Sequence, residues 1–216
     1  MEELDKNETK SVLDKLIYLT KLDRELVEIE GFMPNIEAIL LYALVKYGTI
    51  DLPVVEIGSF KGKSTCWIAH AVRDRGFGKV YAVDHHKGSP ELWCNDDFLK
   101  KKNINYDGNT LPEFLANIEK HGVKSFVEPI VKSSMDAVED WKFPIGFLFI
   151  DGSHEYEDVK NDFEQWSKFV VKNGLIVFHD SEWAGVKQLL DEQVRGNDKY
   201  KIFCFYSMTV LEKLED

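Results

Sequence analysis

The apolar positions of this chain change period several times, and each change marks an element. Between residues 7 and 30, Val12, Leu13, Leu16, Ile17, Leu19 and Leu22 recur at helical spacing until Gly31 and Pro34 interrupt them. A second helix is predicted over Asn35–Tyr47, with Ile36, Ile39, Leu40, Ala43 and Leu44 on one face and Gly48 at its end. From Leu52 onwards, apolar runs of strand length alternate with helical patterns. Strands are expected at 52–57, 79–84, 125–131, 146–151 and 175–178, and helices at 64–73, 111–121, 135–141, 155–171 and 184–194. Two last strands, at 200–205 and 208–212, leave no room for a helix between them and predict an antiparallel hairpin.

Alternating strands and helices predict an α/β fold: a mostly parallel sheet with helices on both faces and the hairpin at one side. The domain layout expected is a helical segment, 1–50, packed on a core formed by 51–216. Right-handed crossovers would bring the C-terminal strand ends to one edge, where such sheets bind ligands. Four predicted strands end there in polar residues, at Glu56, Asp84, Asp151 and His179-Asp180. A purely structural sheet has no need of them.

Charge narrows the partners. Asp and Glu number 38 against 27 Lys and Arg, for a net charge of −11. That surface repels phosphate backbones and anionic membranes, so neither nucleic acid nor membrane is expected as a partner. The charged N-terminus lacks the apolar core of a signal peptide, and no apolar run is long enough to span a bilayer. Cys66, Cys94 and Cys204 are scattered, form no CxxC pair and suggest no disulfide framework. A cytoplasmic setting is the expectation.

The first strand runs into Glu56-Ile57-Gly58-Ser59-Phe60-Lys61-Gly62-Lys63-Ser64-Thr65. Glycines allow a tight turn and close approach of a ligand, and the helix that follows offers free N–H groups and the positive end of its dipole. A dinucleotide fingerprint fails because Phe60 stands at the second glycine position. A phosphate-binding loop would need its first glycine at Ile57, and Gly58 leaves that loop one residue short. What remains is an acid, one residue, then glycines, which resembles motif I of class I S-adenosylmethionine-dependent methyltransferases. That resemblance implies a Rossmann-like methyltransferase sheet and the cofactor S-adenosylmethionine. It places Glu56 near the aminoacyl end of the cofactor, with Gly58, Ser59, Gly62 and Ser64 forming the turn beneath. Asp84 would accept hydrogen bonds from the ribose hydroxyls, with His85 alongside. Ser134, after the third strand, would frame the adenine, although Ser133 also suits a helix N-cap.

Phe147-Leu148-Phe149-Ile150-Asp151-Gly152-Ser153-His154 switches abruptly from apolar to polar, and Ile176-Val177-Phe178-His179-Asp180 repeats the design. The pair resembles metal-dependent, catechol-type O-methyltransferases and relatives that tailor sugars and antibiotics, over about residues 53–192. By that resemblance Asp151, His179 and Asp180 hold a divalent ion such as magnesium or manganese, with Asp151 also beside the cofactor. His179 stands where those enzymes carry an acid. That moves the expectation towards manganese, iron or zinc, or towards a metal-free site in which His154 or His179 is the base.

The function implied is methyl transfer to a hydroxyl of a small molecule, a sugar or natural product. The acceptor would be lined by the polar stretch 85–110 with Trp93. Two rivals stand beside it: a nucleotide-binding phosphotransferase with a P-loop-like turn, and a protein that holds S-adenosylmethionine without transferring methyl. The N-terminal helices are expected either to cover the pocket or to form a face between copies of a homo-oligomer. Gly58→Val is expected to block the cofactor and leave the protein folded.

Overall fold

A computed structural model describes residues 6–48, 50–88, 99, 100, 104 and 106–215. Among them the elements run α1 (Lys6–Leu26), α2 (Asn35–Tyr47), β1 (Val54–Ile57), α3 (Lys63–Arg75), β2 (Val80–Val83), α4 (Leu111–Lys120), β3 (Val127–Ile130), α5 (Ser134–Asp140), β4 (Ile145–Ile150), α6 (Tyr156–Trp166), β5 (Val170–Phe178), α7 (Ala184–Leu189), β6 (Tyr200–Phe205) and β7 (Met208–Lys213). Trp93 and most of the polar stretch expected to line the acceptor lie outside the described residues.

The strands form one sheet in the order β3-β2-β1-β4-β5-β7-β6. β1 to β5 are parallel, and β7 enters antiparallel to β5 with β6 outside it. This is the mostly parallel sheet with a terminal hairpin that the pattern predicts. Strand order reverses between β1 and β4, since the chain builds outward through β2 and β3 before crossing back. Ligands bind at such a reversal.

Both faces are covered, and the strands show it by alternation. Val54, Phe147 and Phe149 join the layer of α2, α3 and α4, with Leu41, Trp67 and Phe114. Val55, Leu148 and Ile150 join the layer of α6 and α7, with Val159, Phe163, Trp166 and Leu189. Every residue of β1 and β4 is buried. The rule that successive strand residues face opposite ways is therefore legible in the core itself.

Three elements depart from the pattern. The helix expected over 155–171 stops at Trp166, and β5 begins at Val170 because that residue pairs with Ile145 of β4. The register then shifts between Ile145 and Phe147, with Asn173 at φ 63° taking up the irregularity. The helix predicted to Val194 ends at Leu189 and continues as a π-turn over Leu190–Val194. In α2 the buried face is Glu37, Ala38, Leu41, Tyr42 and Val45, whereas Ile36 is exposed. The helix is apolar nearly all round, so its own sequence does not choose a face; packing on α3 chooses it. Likewise Val12, Leu13, Leu16 and Ile17 of α1 are each more than half exposed, and it is Leu22, Leu26, Ile29 and Met33 that enter the core.

Gly58, at the end of β1, holds a φ of 86°, and a Cβ on it would sit 2.1 Å from the carbonyl oxygen of Asp151 at the end of the neighbouring strand. That collision is with backbone and cannot be relieved by a rotamer. The expectation that Gly58→Val spares the fold is thereby corrected. Gly58→Val, and even Gly58→Ala, should lower unfolding free energy by at least about 2–3 kcal/mol. Urea denaturation without any ligand checks this, and an unchanged midpoint would contradict the packing described.

Candidate active site

The strand reversal opens into a cavity of about 460 Å³. Its floor is the β1–α3 turn, where Gly58, Ser59, Phe60, Lys63 and Ser64 line the wall. Gly62, at φ 85°, caps α3 and packs on the ring of Phe114, so it shapes the turn without touching the cavity. Phe60 has a φ of 47°. Its N–H donates to Asp84 Oδ2 at 2.8 Å, while Asp84 Oδ1 accepts from the N–H of His86 at 2.6 Å. Asp84 thus locks the turn and also faces the cavity. Ser59 Oγ is buried on this wall with no hydrogen-bond partner. Lys63 also faces the cavity, and burial lowers the pKa of its amine.

Glu56 does not reach this space. Alternation turns it to the same side as Val54, under α3, where it is 0% exposed and accepts from the hydroxyl of Thr65. Burial raises its carboxyl to about 8, against hydrogen bonds from Ser64 and Thr65. A buried carboxyl facing only hydroxyls keeps its proton. The expected place beside the cofactor's aminoacyl group is corrected: Glu56 is part of the support beneath the turn.

On the far side of the cavity four side chains converge. Asp151, His154, His179 and Asp180 each offer one ligand atom, and these atoms all lie within 4.8 Å of one another. His179 Nδ1 is 3.0 Å from Asp151 Oδ1 and 3.4 Å from Asp180 Oδ2, and His154 Nε2 is 3.4 Å from Asp180 Oδ2. β4 delivers Asp151, whose N–H donates to Ile57 O, and β5 delivers His179, whose N–H donates to Ile150 O, so the sheet ladder itself brings them side by side. His154 stacks near Trp183, ring centres 4.7 Å apart, and both line the cavity with Asp151 and Asp180.

His179 is different. Its side chain is 2% exposed, it does not line the cavity, and its Nε2 meets Glu37 Oε2 of α2 at 3.0 Å. Burial works against charge on the ring, but Asp151 and Glu37 outweigh it and raise its pKa to about 11. Held between two carboxylates, it has no nitrogen free to take a proton from an acceptor. The expectation that His179 acts as general base is corrected on that ground. Asp180, at φ 48°, has its pKa raised by burial and by the nearby acids, with His179 and His154 opposing.

His85 and Ser134 both line the cavity. Ser133 caps α5, accepting from Asp136 N, and Ser134 donates instead to Asp162. Asp162 is one of the residues that sequence reasoning missed. It is buried on the cavity wall, and burial raises its carboxyl to about 7. A signal was present, because Val159, Asp162, Phe163 and Trp166 share one buried face of α6, and an acid on such a face needs a reason. Phe32 and Met33, on the link from α1 to α2, also line the cavity and were missed, as was Lys63.

A parallel sheet with a glycine turn at its reversal and an acid–histidine cluster opposite defines an α/β fold with its candidate site at the strand reversal. The family model described as "Methyltransferase domain" matches residues 55–181, and the chain belongs to that family. The "Uncharacterized protein R132" of Acanthamoeba polyphaga mimivirus is 28% identical over 130 residues, 60% of this chain and 52% of its own length. The chain therefore spans about half of that relative. Among solved structures, the O-methyltransferase NovP superposes with a TM-score of 0.71 at 12% identity, covering 86% of this chain and 83% of its own. The O-methyltransferase TomG from Streptomyces achromogenes, involved in tomaymycin synthesis and solved with S-adenosylmethionine, gives 0.64 at 16% identity, covering 92% and 89%. At these identities the likeness establishes the fold.

The raised carboxyl of Glu56 makes a prediction about stability. In the unfolded chain it loses its proton near the usual 4.5, and in the folded chain only near 8. Between those values the native state holds a proton that the unfolded state has released, so stability falls as pH rises through this window. Glu56→Gln removes that dependence. The stability of the wild type relative to Glu56→Gln should drop by on the order of 3 kcal/mol between about pH 5 and 8. Parallel pH profiles of the two proteins in denaturant titrations would contradict a buried neutral carboxyl.

Proposed function

We propose that this chain is an S-adenosylmethionine-dependent O-methyltransferase acting on a hydroxyl of a small molecule, a sugar or natural product among the candidates. The single observation that carries the reading is the division of one cavity into two chemistries: the β1–α3 turn with Asp84 on one wall, and Asp151, His154 and Asp180 on the other. NovP and TomG, both O-methyltransferases, support it by their fold.

The residues present fit the cofactor. Ser59 Oγ has an unmet hydrogen bond on the cavity wall, Lys63 and the first turn of α3 suit a carboxylate, and Asp84 suits two ribose hydroxyls. Ser134 and Asp162 sit where an adenine edge would meet a hydroxyl and a carboxyl. S-adenosylmethionine supplies a methyl group on a sulfonium, which is already a good leaving group. The protein's work is to align the acceptor oxygen with that methyl, exclude water and remove the hydroxyl proton. Trp183, Phe32 and Met33 give the apolar part of the enclosure. His154 is the base that the geometry favours, because its ring faces the cavity between Asp151 and Asp180.

The same edge fits a divalent ion. Ligand atoms about 2.0–2.2 Å from one ion lie roughly 3–3.6 Å apart, close to the separations seen among these side chains. Asp151, His179 and Asp180 would hold it, the ion displacing the proton that His179 Nδ1 shares with Asp151 Oδ1, with His154 as a further donor. Two oxygens and two imidazole nitrogens suit manganese, iron or zinc better than magnesium. Such an ion acidifies an acceptor hydroxyl. The exposed apolar face of α1 supports the face-between-copies reading of the N-terminal helices, since among the described residues the cavity is lined by Gly31, Phe32 and Met33 and by nothing from α1.

Calorimetry with S-adenosylhomocysteine should give micromolar binding, and Asp84→Ala should weaken it by about 1–3 kcal/mol. Tight ATP binding with no response to S-adenosylhomocysteine would overturn the methyltransferase reading. With an acceptor in hand, Asp151→Ala should reduce transfer far more than cofactor affinity. His154→Ala should slow transfer about 10²–10⁴-fold at unchanged cofactor affinity. A His154→Ala enzyme as fast as wild type would remove that residue from the chemistry.

A further inference from the structure

Glu37 is an acid on the buried face of a helix, 1% exposed, in a part of the chain that carries no ligand motif. Burying a carboxylate is costly unless its oxygens are hydrogen-bonded. Here both are, by three donors in all. Oε2 meets His179 Nε2 at 3.0 Å, and Oε1 accepts from the N–H and the hydroxyl of Ser207 at 2.8 and 2.7 Å. Ser207 sits in the β6–β7 turn, and its carbonyl accepts from Ser181 N at 2.7 Å, next to Asp180. Glu37 thus ties α2, the hairpin turn and the end of β5 to one point. It does not line the cavity, so it can reach a ligand only through His179.

We propose that Glu37 is the positioning residue of the acid–histidine centre: by accepting the Nε2–H of His179 it aims Nδ1 of that ring at the point shared with Asp151 and Asp180, where a divalent ion binds. The proposal rests on the metal reading of that centre given above. A histidine ligand commonly donates its other ring N–H to a carboxylate, which fixes the ring orientation and tautomer. The geometry from Glu37 through His179 to Asp151 has that form across 142 positions of sequence. Glu37 also explains how a histidine stands at a ligand position without rotating away from it.

The test is a titration of the purified protein with Co²⁺, followed by visible absorption, beside a calorimetric titration with S-adenosylhomocysteine. The wild type should bind one Co²⁺. Glu37→Ala should lower that affinity roughly 10–100-fold and change the absorption bands, with S-adenosylhomocysteine affinity within about twofold of wild type. Glu37→Gln, whose amide oxygen can still accept from Nε2–H, should recover part of the loss. Should Glu37→Ala fail to fold, Glu37→Gln carries the test alone, with a smaller loss expected in the same direction. Co²⁺ affinity and bands unchanged in a folded variant would overturn the role of Glu37 while leaving the metal site standing. Equal losses of Co²⁺ and S-adenosylhomocysteine affinity would also overturn it, by reducing Glu37 to a structural ion pair. A wild type that binds no Co²⁺ would overturn the metal reading itself, and the proposal with it.

Discussion

Strands β1 and β4 run side by side, and at their ends the backbone of Gly58 meets the carbonyl of Asp151 with no space for a side chain between them. The ladder continues past both strands here, through Gly58 N–H to Val83 O and Asp151 N–H to Ile57 O. Immediately beyond, the two chains part. One turns under the sheet edge into α3, the other loops through Gly152, Ser153 and His154 towards α6 on the opposite face. The cavity is the gap left by that divergence, so its two walls are fixed by one backbone contact. Any displacement at Gly58 moves the turn and the acid–histidine edge together.

The same sheet buries three carboxyls, and their neighbours decide what each becomes. Glu37 faces an imidazole and a backbone N–H, which can support charge; His179 and Ser207 hold its pKa below the usual range although burial pushes the other way. Glu56 and Asp162 face hydroxyls, which can accept or donate but cannot neutralise, so burial raises them to about 8 and about 7.

The sheet was legible because its signals are local. β4 is a run of six buried residues, Ile145–Ile150, followed at once by Asp151, and the turn after β1 holds Gly58 at φ 86°. The strand ends could be lined up by topology alone, which is how Asp151, His154, His179 and Asp180 could be grouped before any contact was known. What the sequence hides is direction. In α2, Ile36, Ile39 and Leu40 compete with Ala38, Leu41 and Val45 for the core, and only packing against α3 decides between them. Choosing the wrong face conceals Glu37. The same limit applies to Glu56, where the alternation within β1 outweighs the motif and turns the acid under α3. Neither the early end of α6 nor the longer β5 is visible locally, because both follow from pairing with Ile145.

The family model covers 55–181, yet two of the groups that orient His179 lie outside it: Glu37 precedes it and Ser207 follows it. Phe32 and Met33, which close the cavity, also precede it. The turn that would hold the cofactor is internal to the matched core, supported by Glu56, Thr65 and Asp84. The cavity lining draws on the core and on both flanks, with Phe32 and Met33 before the matched residues and Trp183 after them. The link from α1 to α2 touches the β1–α3 turn as well, Glu30 pairing with Lys61 at 2.8 Å and Phe32 packing against Phe60. The segment from Phe32 to Glu37 supplies two side chains to the cavity and one to His179.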